Sequence, residues 1–446
     1  MRPTAFLSLA IAPLLIAAAP AKHPELPAFA AQVSEQHLKT TLEHLVAFGT
    51  RHTLSDRAST TRGIGAAERW TTQQFQTLSK ACNGCLQVEV PMQTFSGRRV
   101  PNPTQIGAIL AIQRGTTDPN RVIIISGHID SRVSDPMNAT SDAPGANDDG
   151  SGTAAVIEAA RILSQQKFPA TIVYAVLEGE EQGLYGGKTL ADYAKAQGWQ
   201  VEADLNNDII GNIHGSSGVI DRAHVRVFSE GTKTLETPEQ AAQRRYNGGE
   251  VDSPSRNLAR FVDTIAATYL KGLDAVMIYR TDRYGRGGDQ TELLNAGYPA
   301  VRITEAAENY DRQHQDVRTE AGRSYGDVMS GVDFPYLAQV TRLNVVTLAA
   351  LARAPAPPEG VKIEGAVTPD TTISWNPVPG AARYRVHWRS TTAQQWEHFE
   401  DPTGLTATLK GVVIDDWFFG VSAISADGFE SPVVFPGPAG TFTPWK

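Results

Sequence analysis

Cysteine is nearly missing from this chain: Cys82 and Cys85 are the only two in 446 residues. That excludes a four-thiolate metal site and a disulfide-dense scaffold. Basic residues are not in excess either. Lys and Arg number 40 against 48 Asp and Glu, for a formal net charge of -8, so the basic stripe of a nucleic-acid binder is not there. Past the N-terminus no run of 18 uninterrupted apolar residues occurs, and no membrane span is expected beyond it. Low-complexity tracts and internal repeats are also lacking, which excludes a disordered or repetitive chain. A globular protein remains, and at roughly 150 residues per domain its length fits two or three units.

The first 21 residues read as an export signal. Arg2 gives a positive start, residues 5–18 are almost entirely apolar, and Ala19-Pro20-Ala21 fits a small-x-small cleavage site before Lys22. The apolar run is too short for an anchor and is interrupted by Pro13. A periplasmic or extracellular location is therefore expected. In a cytosolic chain Cys82-Asn83-Gly84-Cys85 could be a redox motif or half a zinc site. Export favours a structural disulfide closing the Asn-Gly turn.

Residues 353–359, with three prolines in seven positions, mark a boundary. Before it, over 22–352, short apolar runs at 122–125, 171–177 and 300–303 alternate with helical patterns at 152–163, 182–196 and 257–271. That predicts an α/β domain with a mostly parallel, mixed sheet flanked by helices. In such sheets the chemistry lies beyond the carboxyl ends of the strands. After the linker, over 360–446, alternating apolar and polar residues between turn signals predict a small all-β sandwich. Its Ile373-Ser374-Trp375 run, Tyr384-Arg385-Val386 and Phe419-Gly420-Val421 resemble a fibronectin type III domain. The linker predicts that the two domains are energetically separable.

Polar clusters fall where the strands of the first domain end. His128, in Gly127-His128-Ile129-Asp130-Ser131, can offer a ring nitrogen to a metal while Asp130 accepts the other ring N–H; a hydrogen-bonded loop histidine is the plain alternative. Asp148 and Asp149 sit between Pro144-Gly145 and Gly150-Ser151-Gly152, where a helix N-cap explains one carboxylate but not two. Glu180 and Glu181 are adjacent at the end of an apolar strand, and a nearby cation would offset their repulsion. One could ligate a metal while the other handles the proton of a water. Asp208 and His314 are each weak when taken singly. Together His128, Asp148, Glu181, Asp208 and His314 form an oxygen and nitrogen set suited to zinc.

These runs, in this order, resemble the co-catalytic di-zinc exopeptidases typified by bacterial leucyl aminopeptidase, with glutamate carboxypeptidase a more distant relative. Gly288-Asp289 before 295–300 and Gln313-His314 add to the match, which spans roughly 38–352. The resemblance implies two zinc ions per chain, bridged by Asp148, with His128 and Asp208 completing one and Glu181 and His314 the other. It implies Glu180 as general base, Asp130 as the partner of His128, and a cis bond between Asp148 and Asp149. It implies hydrolysis of N-terminal residues from peptide substrates by a hydroxide between the metals. The chain has Gln290 where many relatives have histidine. Tyr284 is the nearest candidate for an oxyanion-stabilising tyrosine. Arg280, Arg283 and Arg286 could instead hold a substrate carboxylate, as in a carboxypeptidase, or pair with Asp282 and Asp289. A glutaminyl-cyclase-like enzyme on the same scaffold and a non-catalytic binding protein are the other readings.

Overall fold

The computed structural model describes residues 23–442; the export signal expected at 1–21 lies outside them. Nine strands make the main sheet. They are β1 (Leu86–Glu89), β2 (Met92–Gly97), β3 (Val100–Gln113), β4 (Asp118–His128), β5 (Ala170–Leu177), β6 (Gln200–Asn207), β7 (His224–Phe228), β8 (Asp274–Ile278) and β9 (Ala300–Glu305). Their order is β1-β3-β5-β4-β6-β9-β7-β8, with β2 beside β3. The centre is parallel, β5 and β6 flanking β4 and β9 following β6. The rims are antiparallel where β3 meets β5 and β7 meets β9. In β5 every residue is buried, as expected of a strand covered on both faces.

Helices cover both faces: α1 (Glu25–Ala30), α2 (Glu35–Ala47), α3 (Ile64–Ala81), α4 (Gly150–Leu163), α5 (Glu180–Gly183), α6 (Tyr185–Ala196), α7 (Pro238–Asn247), α8 (Pro254–Tyr269), α9 (Gln290–Asn295) and α10 (Phe334–Arg353). Odd-numbered β4 side chains Ile123 and Ile125 pack with α2, α4 and α10, whereas Val122 and Ile124 pack with α6 and α9. The period of two along one strand builds two cores. The helix expected over 182–196 is two helices. Leu184 adopts left-handed φ of 61° between them, which turns the chain and leaves α5 as a single turn. Strand β4 runs on through His128, so that histidine ends the strand rather than following it. Cys82 and Cys85 are disulfide-bonded after α3, with Cα atoms 5.5 Å apart. No helix among the described residues is long and apolar enough to cross a membrane.

A hairpin, β10 (Arg318–Glu320) with β11 (Arg323–Tyr325), precedes α10. The C-terminal strands are β12 (Lys362–Glu364), β13 (Thr371–Ser374), β14 (Arg383–Ser390), β15 (His398–Glu400), β16 (Thr406–Leu409) and β17 (Trp417–Ile424). They form two three-stranded antiparallel sheets, β12-β13-β16 and β15-β14-β17. Ile373 and Trp375 meet Val386, Phe419 and Val421 in a core of their own.

The segment 353–359 is not a solvated spacer, and its packing argues against the expected separability of the two domains. Ala354, Pro355, Pro357 and Pro358 are buried. Arg121 of β4 donates to the carbonyls of Leu351 and Ala354, at 3.2 and 2.6 Å. Across the domain boundary, Arg389 of β14 donates to both oxygens of Asp252 at 2.9 Å, and Arg260 of α8 donates to one of them at 2.9 Å. All three side chains are almost wholly buried. Phe429 of the C-terminal unit packs into the core of the first domain and stacks on His23. Composition showed the prolines; it could not show that they lie against a helix end.

Asp204, inside β6, is buried with one oxygen accepting from Ser126 at 2.8 Å and the other unpartnered. Burial pushes its carboxyl up to about 7. The folded chain thus keeps a proton that the unfolded chain releases near pH 4. The stabilisation is complete below that pH and is lost as pH rises toward 7. Asp204→Asn should therefore unfold at higher urea than wild type at pH 7, by up to ~4 kcal/mol. That gap should close near pH 4. A gap independent of pH would show that Asp204 is ionised in the fold.

Candidate metal centre

The site lies beyond the carboxyl ends of β4, β5 and β6. His128 ends β4, Asp208 follows β6, Glu180 and Glu181 open α5 just after β5, and Asp148 immediately precedes the N-cap of α4. His314 comes from the loop before β10, at left-handed φ of 55°. The structure brings all six together in two groups. His128, Glu180 and Asp208 offer ligand atoms within 4.8 Å of one another, and so do Asp148, Glu181 and His314.

Asp148 faces both groups. Its Oδ1 is 3.3 Å from Nε2 of His128 and its Oδ2 is 2.9 Å from Nε2 of His314. Glu181 Oε1 is 3.0 Å from the same His314 nitrogen, and Asp208 Oδ1 is 3.9 Å from His128 Nε2. Burial alone would raise the Asp148 carboxyl, but His314 and His128 outweigh it and hold it well below the usual range. Close as these atoms are, His128 Nε2, Asp148 Oδ2 and Glu181 Oε1 are buried without a directed hydrogen bond. Converging lone pairs that bond to nothing are costly in a protein interior. A cation between them removes that cost, and imidazole with carboxylate is a zinc-type donor set. The residues fit two metal ions.

The surrounding bonds set each group's orientation. His128 Nδ1 lies 3.0 Å from the main-chain carbonyl of Asp130 and 3.5 Å from its carboxylate. The carbonyl can only accept, so Nδ1 carries a proton and Nε2 is the nitrogen that would be offered to a metal. The expected pairing of His128 with the Asp130 carboxylate is present as an ion pair, with a shorter main-chain contact beside it. The Asp130 carboxylate also accepts from the Thr53 hydroxyl and from the N–H groups of Glu180 and Glu181, at 2.9, 3.2 and 3.1 Å. It fixes the turn that carries both glutamates. Asp149 caps α4 by accepting from Gly152, and it also accepts from the N–H groups of His128 and Ile209. The Asp148–Asp149 peptide bond is cis.

Glu180 is half-buried, and among the described residues nothing hydrogen-bonds or ion-pairs with its carboxylate. Burial, with Glu181, Asp208 and Asp289 nearby, raises it well above its ordinary value. Asp289 is pushed up to about 8, mainly by burial, and accepts from the N–H of Gly187. Gln290 does not point a ligand at the centre; its amide donates to Asp282 at 2.6 Å. Tyr284 is 87 % exposed, with the Arg280 guanidinium over its ring, so the oxyanion role suggested for it finds no support. Arg283 is engaged by Asp282 at 3.1 Å and Arg286 by Glu308 at 3.2 Å. The expected alternative of a carboxylate clamp meets arginines that already have partners.

Two arginines beside the ligands were not singled out from the sequence. Arg302 lies 2.5 Å from Asp208 Oδ2, and Arg132 donates to Glu181 Oε2 at 2.7 Å. A signal existed for Arg302, a charge in the middle of the apolar run Ala300-Val301-Arg302-Ile303. Arg51 also escaped notice. Buried, it donates to the carbonyls of Ile129, Pro144 and Gly145 and so staples the loops on either side of Asp148 and His128.

Residues 108–331 match the family described as "Peptidase family M28". A chain from Pyrenophora teres f. teres named "Probable zinc metalloprotease" is 44% identical over 421 residues, covering 93% of this chain and 87% of that one. A like-named chain of Pyricularia oryzae is 39% identical, covering 93% and 84%. Among solved structures, the LapA aminopeptidase of Legionella pneumophila superposes with a TM-score of 0.53 at 18% identity, covering 74% of each chain; at that identity the likeness concerns the fold. The matched region holds the sheet's central strands and all six residues of the centre, and the chain belongs to peptidase family M28.

Proposed function

We propose that this peptidase is an exported two-zinc aminopeptidase. The observation that carries the reading is Asp148, whose two oxygens face two separate histidines while an unpaired glutamate stands alongside. His128, Asp208 and one oxygen of Asp148 would hold one zinc; Glu181, His314 and the other oxygen would hold the second. Bound zinc would polarise a substrate carbonyl and make water a nucleophile near neutral pH. Glu180 is placed to accept a proton at its carboxylate and return it to the departing amine, and its raised affinity for protons suits both transfers. Asp130 holds the Glu180–Glu181 turn in place by its two main-chain hydrogen bonds. The LapA aminopeptidase, which shares this fold, supports the choice of the amino end, as do arginines already occupied by Asp282 and Glu308. The proposal includes the fibronectin type III-like character of the C-terminal unit, which two sheets packed about Trp375 support. Export is supported by the apolar run at 5–18 and by the Cys82–Cys85 disulfide.

The test uses protein recovered from the periplasm or medium. It should begin at Lys22, contain two zinc ions, and release anilide from free amino-acid anilides but not from N-acetylated ones. A chelator should abolish the activity. Equal cleavage of blocked substrates, or release from the carboxyl end only, would refute the aminopeptidase reading; an intact Met1 would refute export.

A further inference from the structure

A cleft opens between the peptidase domain and the C-terminal unit, and it shares no lining residue with the metal centre. Its volume is about 480 Å³, within the range of pockets that hold small molecules. Helix α8 supplies one wall, with Asp263 and Ala267. The opposite wall carries Arg385 of β14, Trp396 before β15, Phe399 within β15, and Glu430.

Both arginines that line the cleft are already paired. Arg385 donates to the two oxygens of Asp401, at 2.6 and 2.9 Å, and to Glu430 at 3.0 Å. Arg260 donates to Asp252 at 2.9 Å. An anionic ligand therefore meets no arginine without a carboxylate, and Asp263 repels it. A cationic ligand fares no better, because guanidiniums already lie over the rings. Arg385 is 4.1 Å from the Phe399 centroid and Arg389 is 5.4 Å from that of Trp396. What is left for a ligand is flat carbon surface edged with donors and acceptors. Phe399 is 60 % exposed. Asp263 accepts from the Gln395 amide and has further lone pairs to offer. The indole N–H of Trp396 has no acceptor among the described residues, an unspent donor in the wall.

We propose that this cleft binds a neutral oligosaccharide. A sugar ring has C–H faces that lie against aromatic rings, and a rim of hydroxyls that both donate and accept. It can use carbon surface and paired charges together without bringing a charge of its own. Phe399 offers the ring at the mouth, and Asp263, Gln395 and Glu430 offer the polar edge. Such a site would hold the enzyme on glycan-bearing material and leave the metal centre free to act. The inference does not depend on the zinc reading above.

The whole protein would be titrated calorimetrically with neutral trisaccharides of glucose, N-acetylglucosamine, mannose and xylose. Trigalacturonate and trilysine serve as charged counterparts. At least one neutral trisaccharide should bind, and more tightly than either charged trimer. Ala267 is exposed on the α8 wall, so Ala267→Trp should fill the cleft, keep the wild-type melting temperature and abolish binding. Phe399→Ala removes an exposed ring at the mouth and should weaken binding by about tenfold; it gives the answer should Ala267→Trp not fold. The proposal falls if no neutral trisaccharide binds, or if a charged trimer binds as tightly. It falls equally if the folded variants bind as wild type does, which would place the sugar elsewhere.

Discussion

Glu180→Gln is expected to lower kcat by ~10²–10⁴-fold, the usual worth of a positioned general base, with zinc content unchanged. Glutamine keeps the shape and the main-chain bond to Asp130 but removes the basic oxygen. Glu181→Gln should behave differently. Its Oε1 lies 3.0 Å from His314 Nε2 and its Oε2 accepts from Arg132; an amide there is a poorer zinc ligand than a carboxylate. One zinc should then be lost or weakened. Metal analysis and turnover measured on both variants decide the matter. Normal turnover in Glu180→Gln, or metal loss in that variant but not in Glu181→Gln, would reverse or remove the assigned roles.

The second large effect lies far from the centre. Asp252→Ala should cost ~3–5 kcal/mol of stability, because it strands buried guanidiniums that have lost their shared anion. Arg389 would lose both of its bonds to Asp252, and Arg260 would keep those to Asn257 and to the carbonyls of Val251 and Gln394. A chain ending at Ala352 should fare worse, since it also uncovers the core that Ala354 and Phe429 help to close. Urea unfolding of the variant and recovery of soluble truncated protein are the measurements. A loss under 1 kcal/mol, or a truncated chain as stable as the whole, would show that the two units stand independently.

Much of the first domain was legible because its signals are local. Residues 122–125 and 171–177 are apolar on both faces, as only a covered strand can be, and ligand-type residues follow directly in the chain. The order of His128, Asp148, Glu181, Asp208 and His314 carried the family resemblance, and the structure gathers all five. What escaped depends on contacts between distant segments. Nothing near Arg132 announces Glu181, its partner in the folded chain. The seven residues 353–359 read as a spacer because prolines stiffen an exposed chain and a packed one equally well. The ring nitrogen of His128 meets the carbonyl of Asp130 as well as its carboxylate, a second contact set by backbone geometry that residue identity does not encode. The single turn at 180–183 was likewise hidden, because helical periodicity runs on across Leu184 without a visible break.

Asp149 binds the N–H groups of Gly152, His128 and Ile209, and so ties together a helix start, a strand end and the residue after Asp208. Three separately encoded segments thereby share one fastening. Sequence drift in any of them must keep its amide where Asp149 can reach, or the other two come loose with it. His314 hangs from a loop outside this fastening. The half of the centre knotted by Asp149 thus moves as a unit, while His314 reaches the other half from a loop that Asp149 does not hold.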